Sequence, residues 1–433
     1  MLAENTLLWE AMRDYYPKQF VLKAVVSGPV FFSLSISWLK INTNQDFTYG
    51  TGITGTVRLR RACAHYLNTH FVVDKSRPEL EVKPEHIIMG TGLITILSVI
   101  AKTVCNPGDG ILIVAPYYSG FDSNFKFPGI RPIPVNVPIE KIGTIDEVTY
   151  LRAAMRTTGL SINAIVLCNP HNPLGRSYHK DAIEEYCRFA EEYNLHLICD
   201  EIYAQSVFRV EGNDNPQPFT SVLSLDLKSL NVNPARVHVL YSMSKDFSAS
   251  GFRIGLFVSR ANPSIVQSMA GEATFMRVSS PPDLLWSALL ISDLPSRGPG
   301  GEFKNITEYL QNNKDSLKET YEEVIGWLSE YQINYIKASA GLFLMIDLRP
   351  IIEDVGKAGP IVGFNNDTPM PDRERLLNLY LQETHKVCLS AGRSYHMAES
   401  GWFRLVFSVR DGIRTEGFIR LGRALDILRH GGQ

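Results

Sequence analysis

The chain has 433 residues, 45% of them hydrophobic, enough for a large buried core shared among two or three structural units. Its 43 basic and 45 acidic residues leave a net charge of -2, without the basic bias of a nucleic-acid or acidic-membrane binder. No apolar run approaches the ~20 residues of a bilayer span, and the opening MLAENTLLWEAMRDYYPKQF lacks the basic-then-apolar order of a secretory signal.

In chain order, apolar runs predict strands over 87–90, 111–116, 164–170, 195–201 and 237–245. They are rich in Ile, Val and Leu with little polar alternation, the pattern of strands buried on both faces. Helical stretches lie between them, at 93–104 and 181–194. Such alternation predicts an α/β unit with a parallel sheet. The texture changes at the Pro/Gly loop 294–302, which precedes a long polar helix over about 303–330, the strands INYIKAS and GLFLMIDL and a loop at 356–372. A helix near 373–386, the strand FRLVFSV and a last helix from about 415 complete a smaller α+β unit. The expected division is 1–45 as an N-terminal part of the small unit, 46–293 as the large unit and 294–433 as the C-terminal small unit. Cys63, Cys105, Cys168, Cys187, Cys199 and Cys388 are scattered with no CxxC, as free thiols of a reducing, cytoplasmic protein without a metal site.

Open α/β sheets bind ligands beyond the carboxyl ends of their strands, so polar residues there are the first candidates. These ends carry APYYSGFD (115–122), NPHNPLG (169–175), DEIY (200–203) and SMSK (242–245), the last continuing into DFSASGFRIG. Singly, each has a plain explanation: a solvated lysine, a capping Asp, an Asn/Pro/Gly turn. Together they match what pyridoxal 5'-phosphate (PLP) needs. Lys245 supplies the amine for an imine with the cofactor aldehyde. Asp200, at the end of an apolar strand, is costly unless it meets a cation such as the ring nitrogen. Asn172 and Tyr203 can donate to the phenolic oxygen, while Ser242 and Arg253 can hold the phosphate, with Gly251 allowing close backbone approach.

These words resemble the fold-type I PLP enzymes, the aspartate aminotransferase superfamily. Within it the chain is most similar to the 1-aminocyclopropane-1-carboxylate (ACC) synthase-like branch, through LAEN (2–5), APYYSGFD, NPHNPLGRSY, DEIYA, YSMSKDFSASGFRIG and GWFRLVFS (401–408). The resemblance implies a large domain with a mostly parallel seven-stranded sheet between helices and a smaller α+β domain. It implies Lys245 as imine-forming lysine and proton shuttle, Asp200 as partner of the pyridinium and Tyr118 stacked on the ring. Asn172 and Tyr203 then bond the phenolic oxygen, Ser242 and Arg253 the phosphate, and Arg404 clamps the substrate α-carboxylate. Ala3 and Glu4 of LAEN fall beside the substrate, and Tyr49 of FTYGTG matches the tyrosine that reaches the neighbouring subunit's site, implying a homodimer with shared sites. The chain departs from the pattern in three places. LAEN begins at Leu2, without the Tyr-bearing arm expected before it; the link GTGITGTVRLRRA after Tyr49 is longer; and Gly92-Leu93-Ile94 replaces the phosphate-binding Gly-Ala-Thr, losing a hydroxyl but keeping backbone amides.

PLP labilises the Cα bond set perpendicular to its ring, and the implied Arg404 anchor presents Cα–H to Lys245. Three outcomes follow deprotonation: amino transfer, loss of a β-substituent, or ring closure with loss of a γ-sulfonium. Relatives of this branch in fungal natural-product pathways act as carbon–sulfur lyases on cysteine conjugates. With the entrance remodelled, the leading expectation is β-elimination from a sulfur-bearing amino acid, ahead of amino transfer and then ACC synthesis.

Overall fold

The computed structural model describes residues 52–431, except 73, 75, 210–216 and 292–305. The expectations for Ala3, Glu4 and Tyr49, and for the segment 1–45, lie outside the described residues.

The large unit runs through helix α1 (Val57–His70), strand β1 (Ile87–Gly90), helix α2 (Leu93–Val104), β2 (Gly110–Ala115), α3 (Gly120–Lys126), β3 (Arg131–Asn136), α4 (Glu147–Thr157) and β4 (Ile162–Cys168). It continues with α5 (Lys180–Glu192), β5 (His196–Asp200), β6 (Val237–Ser242), the short α6 (Met243–Asp246), β7 (Gly255–Val258), α7 (Pro263–Glu272) and α8 (Ser280–Ile291). Its seven strands form one sheet in the order β1-β7-β6-β5-β4-β2-β3. Pairing from β6 through β3 is parallel, and β7 is antiparallel to both of its neighbours.

Outside the edge strand β3, sequence alternation is absent because both faces of the strands are buried. Along β4, Ile165 and Leu167 enter one core with Leu197, Cys199 and Val239, while Ala164 and Val166 enter another with Ile198, Leu240 and Phe257. Each such side chain, when fully buried, contributes about 1.5–3 kcal/mol.

The second unit contains α9 (Ile306–Glu330), β8 (Tyr335–Ile336), β9 (Phe343–Asp347), α10 (Arg349–Glu353), α11 (Ala358–Val362), α12 (Met370–His385), β10 (Ser390–Ala391), β11 (Trp402–Val406) and α13 (Asp411–His430). Its four-stranded antiparallel sheet, β10-β11-β9-β8, packs Leu344, Ile346, Phe403 and Leu405 against Leu377, Leu381, Leu421 and Leu425.

Several elements differ from the sequence expectation for identifiable reasons. β3 reads RPIPVN, whose two prolines conceal a strand; it is the sheet's outer edge, where missing donors are tolerated. The run 237–245 leaves the sheet at Ser242 and turns into α6, so Lys245 sits on a helical turn. β7 was hidden behind the loop-like GFRIG, and α11 lies inside the expected loop 356–372. The six cysteines are free, five of them buried and Cys388 exposed. Among the described residues no helix is long and apolar enough to cross a membrane, and no cluster of His, Cys, Asp and Glu is set for a metal.

Candidate active site

The parallel register sets the carboxyl ends of β4, β5 and β6 side by side, with Cys168 opposite Asp200 and Asp200 opposite Leu240. Asn172, Asp200, Tyr203 and Lys245 therefore gather at one rim, the first three buried and Lys245 half-buried. Asp200 Oδ1 accepts from the Ile202 amide at 3.2 Å. Burial pushes the Asp200 carboxyl up to about 7, against the opposing pull of that amide and of the Lys245 charge. Burial also lowers the Lys245 pKa, helped by the positive charges of Arg404 and Arg253 and opposed by Asp200. The Lys245 Nζ lies 5.9 Å from the centroid of the Tyr203 ring. Burial raises the Tyr203 phenol well above its ordinary range, which keeps it a neutral O–H donor.

An anion cradle lies at the start of α2. Gly92 is the N-cap at φ 82° with no side-chain cap, so the first amides of the helix, at Leu93 and Ile94, have no intrahelical partner. Leu93 is buried, whereas the Ile94 side chain is 53% exposed. Arg253, itself left-handed at φ 54°, lies directly over this turn: a Cβ on Gly92 would fall 2.2 Å from its Nη2. The close approach expected of Gly251 is thus made by Gly92, while Gly251 occupies an exposed 3-10 turn, Ser250–Phe252. Ser242 is fully buried and donates to the Ile254 carbonyl at 2.7 Å, tying the turn before Lys245 to the start of β7. Tyr118, half-buried, follows β2, and its ring covers Gly120, where a Cβ would meet Cε1 at 2.4 Å.

Arg404 comes from β11 of the small sheet. Its Nη1 donates to Asn172 Oδ1 at 3.0 Å, joining residues 232 positions apart. The guanidinium lies between two rings, with Cζ 4.6 Å from the Phe343 centroid and 4.7 Å from that of Tyr395. Phe343 also meets Tyr203 edge-on at 5.4 Å. Arg404 Nε is buried and has no hydrogen-bond partner. Phe343 and Tyr395 were not singled out from sequence; a signal was available for Tyr395, which stands nine residues before Arg404 in GRSYHMAESGWFR.

These residues fit PLP. A buried carboxylate raised to about 7 lacks a full counter-charge, which a protonated ring nitrogen would provide. An uncapped helix start beneath an arginine suits a phosphate, and an orphaned guanidinium Nε suits a carboxylate.

The model of the family "Aminotransferase class I and II" matches residues 20–413. "Probable aminotransferase sirI" of Leptosphaeria maculans is 32% identical over 386 residues, 88% of this chain and 84% of that protein. "Probable aminotransferase gliI" of Aspergillus fumigatus is 31% identical over 84% of this chain and 79% of its own. "1-aminocyclopropane-1-carboxylate synthase 6" of Arabidopsis thaliana is 28% identical over 95% of this chain and 74% of its own. Among solved structures, a double mutant of Thermus thermophilus aspartate aminotransferase superposes with a TM-score of 0.68 at 19% identity, over 87% of this chain and 84% of that one.

Proposed function

The chain belongs to the class I and II aminotransferase family, a PLP-dependent family acting on amino acids, and from that premise we propose that it is a carbon–sulfur lyase that eliminates the β-substituent of a cysteine-type conjugate. The observation that carries this reading is the single aromatic-walled anchor, Arg404 held between Phe343 and Tyr395. Arg404 and Arg253 are the described cations whose charge bears on Lys245, and Arg253 is turned toward Gly92 and the Ser250 carbonyl. One carboxylate is therefore provided for by the cations that bear on Lys245 among the described residues. The rings of Phe343, Tyr395 and Tyr203 favour a thioether, since sulfur packs well against aromatic edges.

When bound, PLP supplies the electron sink for the pair left at Cα. In this reading Arg404 Nε and Nη2 grip the α-carboxylate in a bidentate pair and orient Cα–H. Lys245, its ammonium form disfavoured by burial and by two arginines, takes that proton as a neutral amine. Asp200 would accept the ring N–H, and Tyr203 and the Asn172 amide would donate to the phenolic oxygen. Tyr118 would cover one face of the cofactor ring. The amides of Leu93 and Ile94 and the Arg253 guanidinium would hold the phosphate, and Ser242 would join them only by turning its proton from the Ile254 carbonyl. The pair left at Cα would then become the Cα=Cβ bond as the Cβ–S bond breaks with its own pair leaving on the thiolate. Water converts the remaining dehydroalanine unit to pyruvate and ammonia. Tyr49, by its place in FTYGTG, completes the neighbouring site of a homodimer.

The test is incubation of the holoenzyme with S-methyl-L-cysteine and larger cysteine S-conjugates, with and without a keto acid. Multiple turnovers of thiol and pyruvate without acceptor are expected. Turnover that strictly requires a keto acid, with no thiol released, would replace this reading with amino transfer, the activity printed in the names of the fungal relatives.

A further inference from the structure

The guanidinium of Arg404 is held by a ring, Tyr395, that has its own support. Tyr395 ends the 3-10 turn Gly392–Tyr395, and its carbonyl accepts from the Tyr117 amide at 2.8 Å, across the junction of the two sheets. The next residue, His396, closes the turn at φ 60° and ψ 34°. This left-handed region favours glycine, and a side chain persists there only when surrounding contacts hold it. His396 makes such contacts. Its ring stacks on Tyr117 at 4.4 Å and 25°, and its Nε2 lies 2.8 Å from Asp122 Oδ2. The other oxygen, Asp122 Oδ1, accepts from the Tyr117 hydroxyl at 2.8 Å. Asp122 belongs to α3, and Tyr117 adjoins Tyr118 at the cofactor rim. The His396–Asp122–Tyr117 cluster thus pins one wall of the Arg404 slot to the large sheet.

We propose that His396, with Asp122 and Tyr117, is a positioning unit that holds Tyr395 against Arg404 and thereby sets the affinity for the substrate's α-carboxylate. This rests on the reading of Arg404 as the carboxylate anchor. Without the cluster the turn 392–396 loses its tie to α3, Tyr395 is free to swing, and the guanidinium loses the fixed plane that a bidentate pair requires. Attachment of a substrate amine needs no such plane.

The experiment compares S-methyl-L-cysteine with 2-(methylthio)ethylamine, the same molecule without its carboxylate, by the initial change in cofactor absorbance on mixing with PLP-loaded enzyme. The variants are His396→Ala, Asp122→Asn, Arg404→Lys and His396→Ala combined with Arg404→Lys, with thermal melts and PLP retention measured for each. His396→Ala should weaken the amino acid about tenfold and the amine less than about twofold, and in the Arg404→Lys background its further effect should fall below about twofold, because the two act as one unit. Asp122→Asn keeps the side-chain volume and should reproduce the selective loss, so it carries the test if His396→Ala does not fold. Equal weakening of acid and amine, no weakening in a folded holoenzyme, or full additivity with Arg404→Lys would overturn the positioning role. If Arg404→Lys fails to discriminate acid from amine, the anchor reading falls first and this inference with it.

Discussion

Replacing Asp200 by Asn should stabilise the cofactor-free protein while crippling the loaded one. The side chain is 4% exposed, and its carboxyl is raised from 3.8 to about 7 mainly by burial. The folded state therefore holds the Asp200 proton more tightly than the unfolded state does. Between about pH 4 and 7 the native chain binds more protons, so this residue's contribution to stability falls as pH rises and reaches its minimum above about 7. Three pKa units at ~1.36 kcal/mol each give an order-of-magnitude cost of roughly 4 kcal/mol at pH 8. For a chain this long, 1 kcal/mol moves the melting point by about 1 °C, so apo Asp200→Asn should melt about 4 °C above apo wild type at pH 8. The two should converge near pH 5, where the wild-type carboxyl is already neutral. Asn keeps an oxygen for the Ile202 amide, and Glu147, Glu201 and Asp246, also raised by burial, are common to both proteins and cancel. Scanning calorimetry of apo and PLP-loaded forms at both pH values measures this. Loading should stabilise wild type more than the variant, since only the carboxylate meets the ring cation, and Cα deprotonation should slow by orders of magnitude in the variant. An apo variant no more stable than wild type at pH 8, or an advantage undiminished at pH 5, would refute the buried-charge argument.

Lys245→Ala should abolish turnover and the absorbance of covalently attached PLP; a variant keeping that band would place the attachment elsewhere. Ile94→Thr should tighten PLP about fivefold by adding a hydroxyl to the uncapped start of α2, at roughly 1 kcal/mol for one hydrogen bond, measured by cofactor titration; unchanged affinity would move the phosphate away from that turn. Tyr49→Phe and Lys245→Ala subunits, each impaired alone, should partly recover activity when mixed, because one of the two hybrid sites then has both native residues; confirmed heterodimers without recovery would argue against shared sites.

What could be read in advance follows from how locally each feature is encoded. β4 and β5 were legible because Ala164–Cys168 and Leu197–Cys199 alternate between two apolar cores, and such runs have few alternatives. Asp200, Asn172 and Lys245 were legible because polar residues abruptly ending such runs have few structural uses. β3 was not, because Pro132 and Pro134 contradict strand propensity and only its edge position excuses them. The wall around Arg404 was not, because Phe343 and Tyr395 meet its guanidinium only once β9, β10 and β11 pair in the small sheet. His396 carried no local signal, since its left-handed backbone is set by contacts to Asp122 and Tyr117.

The two prolines of β3 also bear on how molecules meet. Along a strand, successive residues turn their N–H and C=O groups to opposite sides. Pro132 and Pro134 share one parity, opposite β2 residues Ile111 and Ile113. Since proline has no N–H to give, the inward donors come from the residues between, and the outward side at 132 and 134 offers carbonyls alone. An approaching strand finds acceptors without donors and cannot form a ladder there. The outer edge of the sheet is thus closed to strand addition, which guards a sheet this rich in Ile and Val against edge-to-edge aggregation at cellular concentrations. Restoring both donors with Val should leave the fold intact and show its effect as faster light scattering on heating.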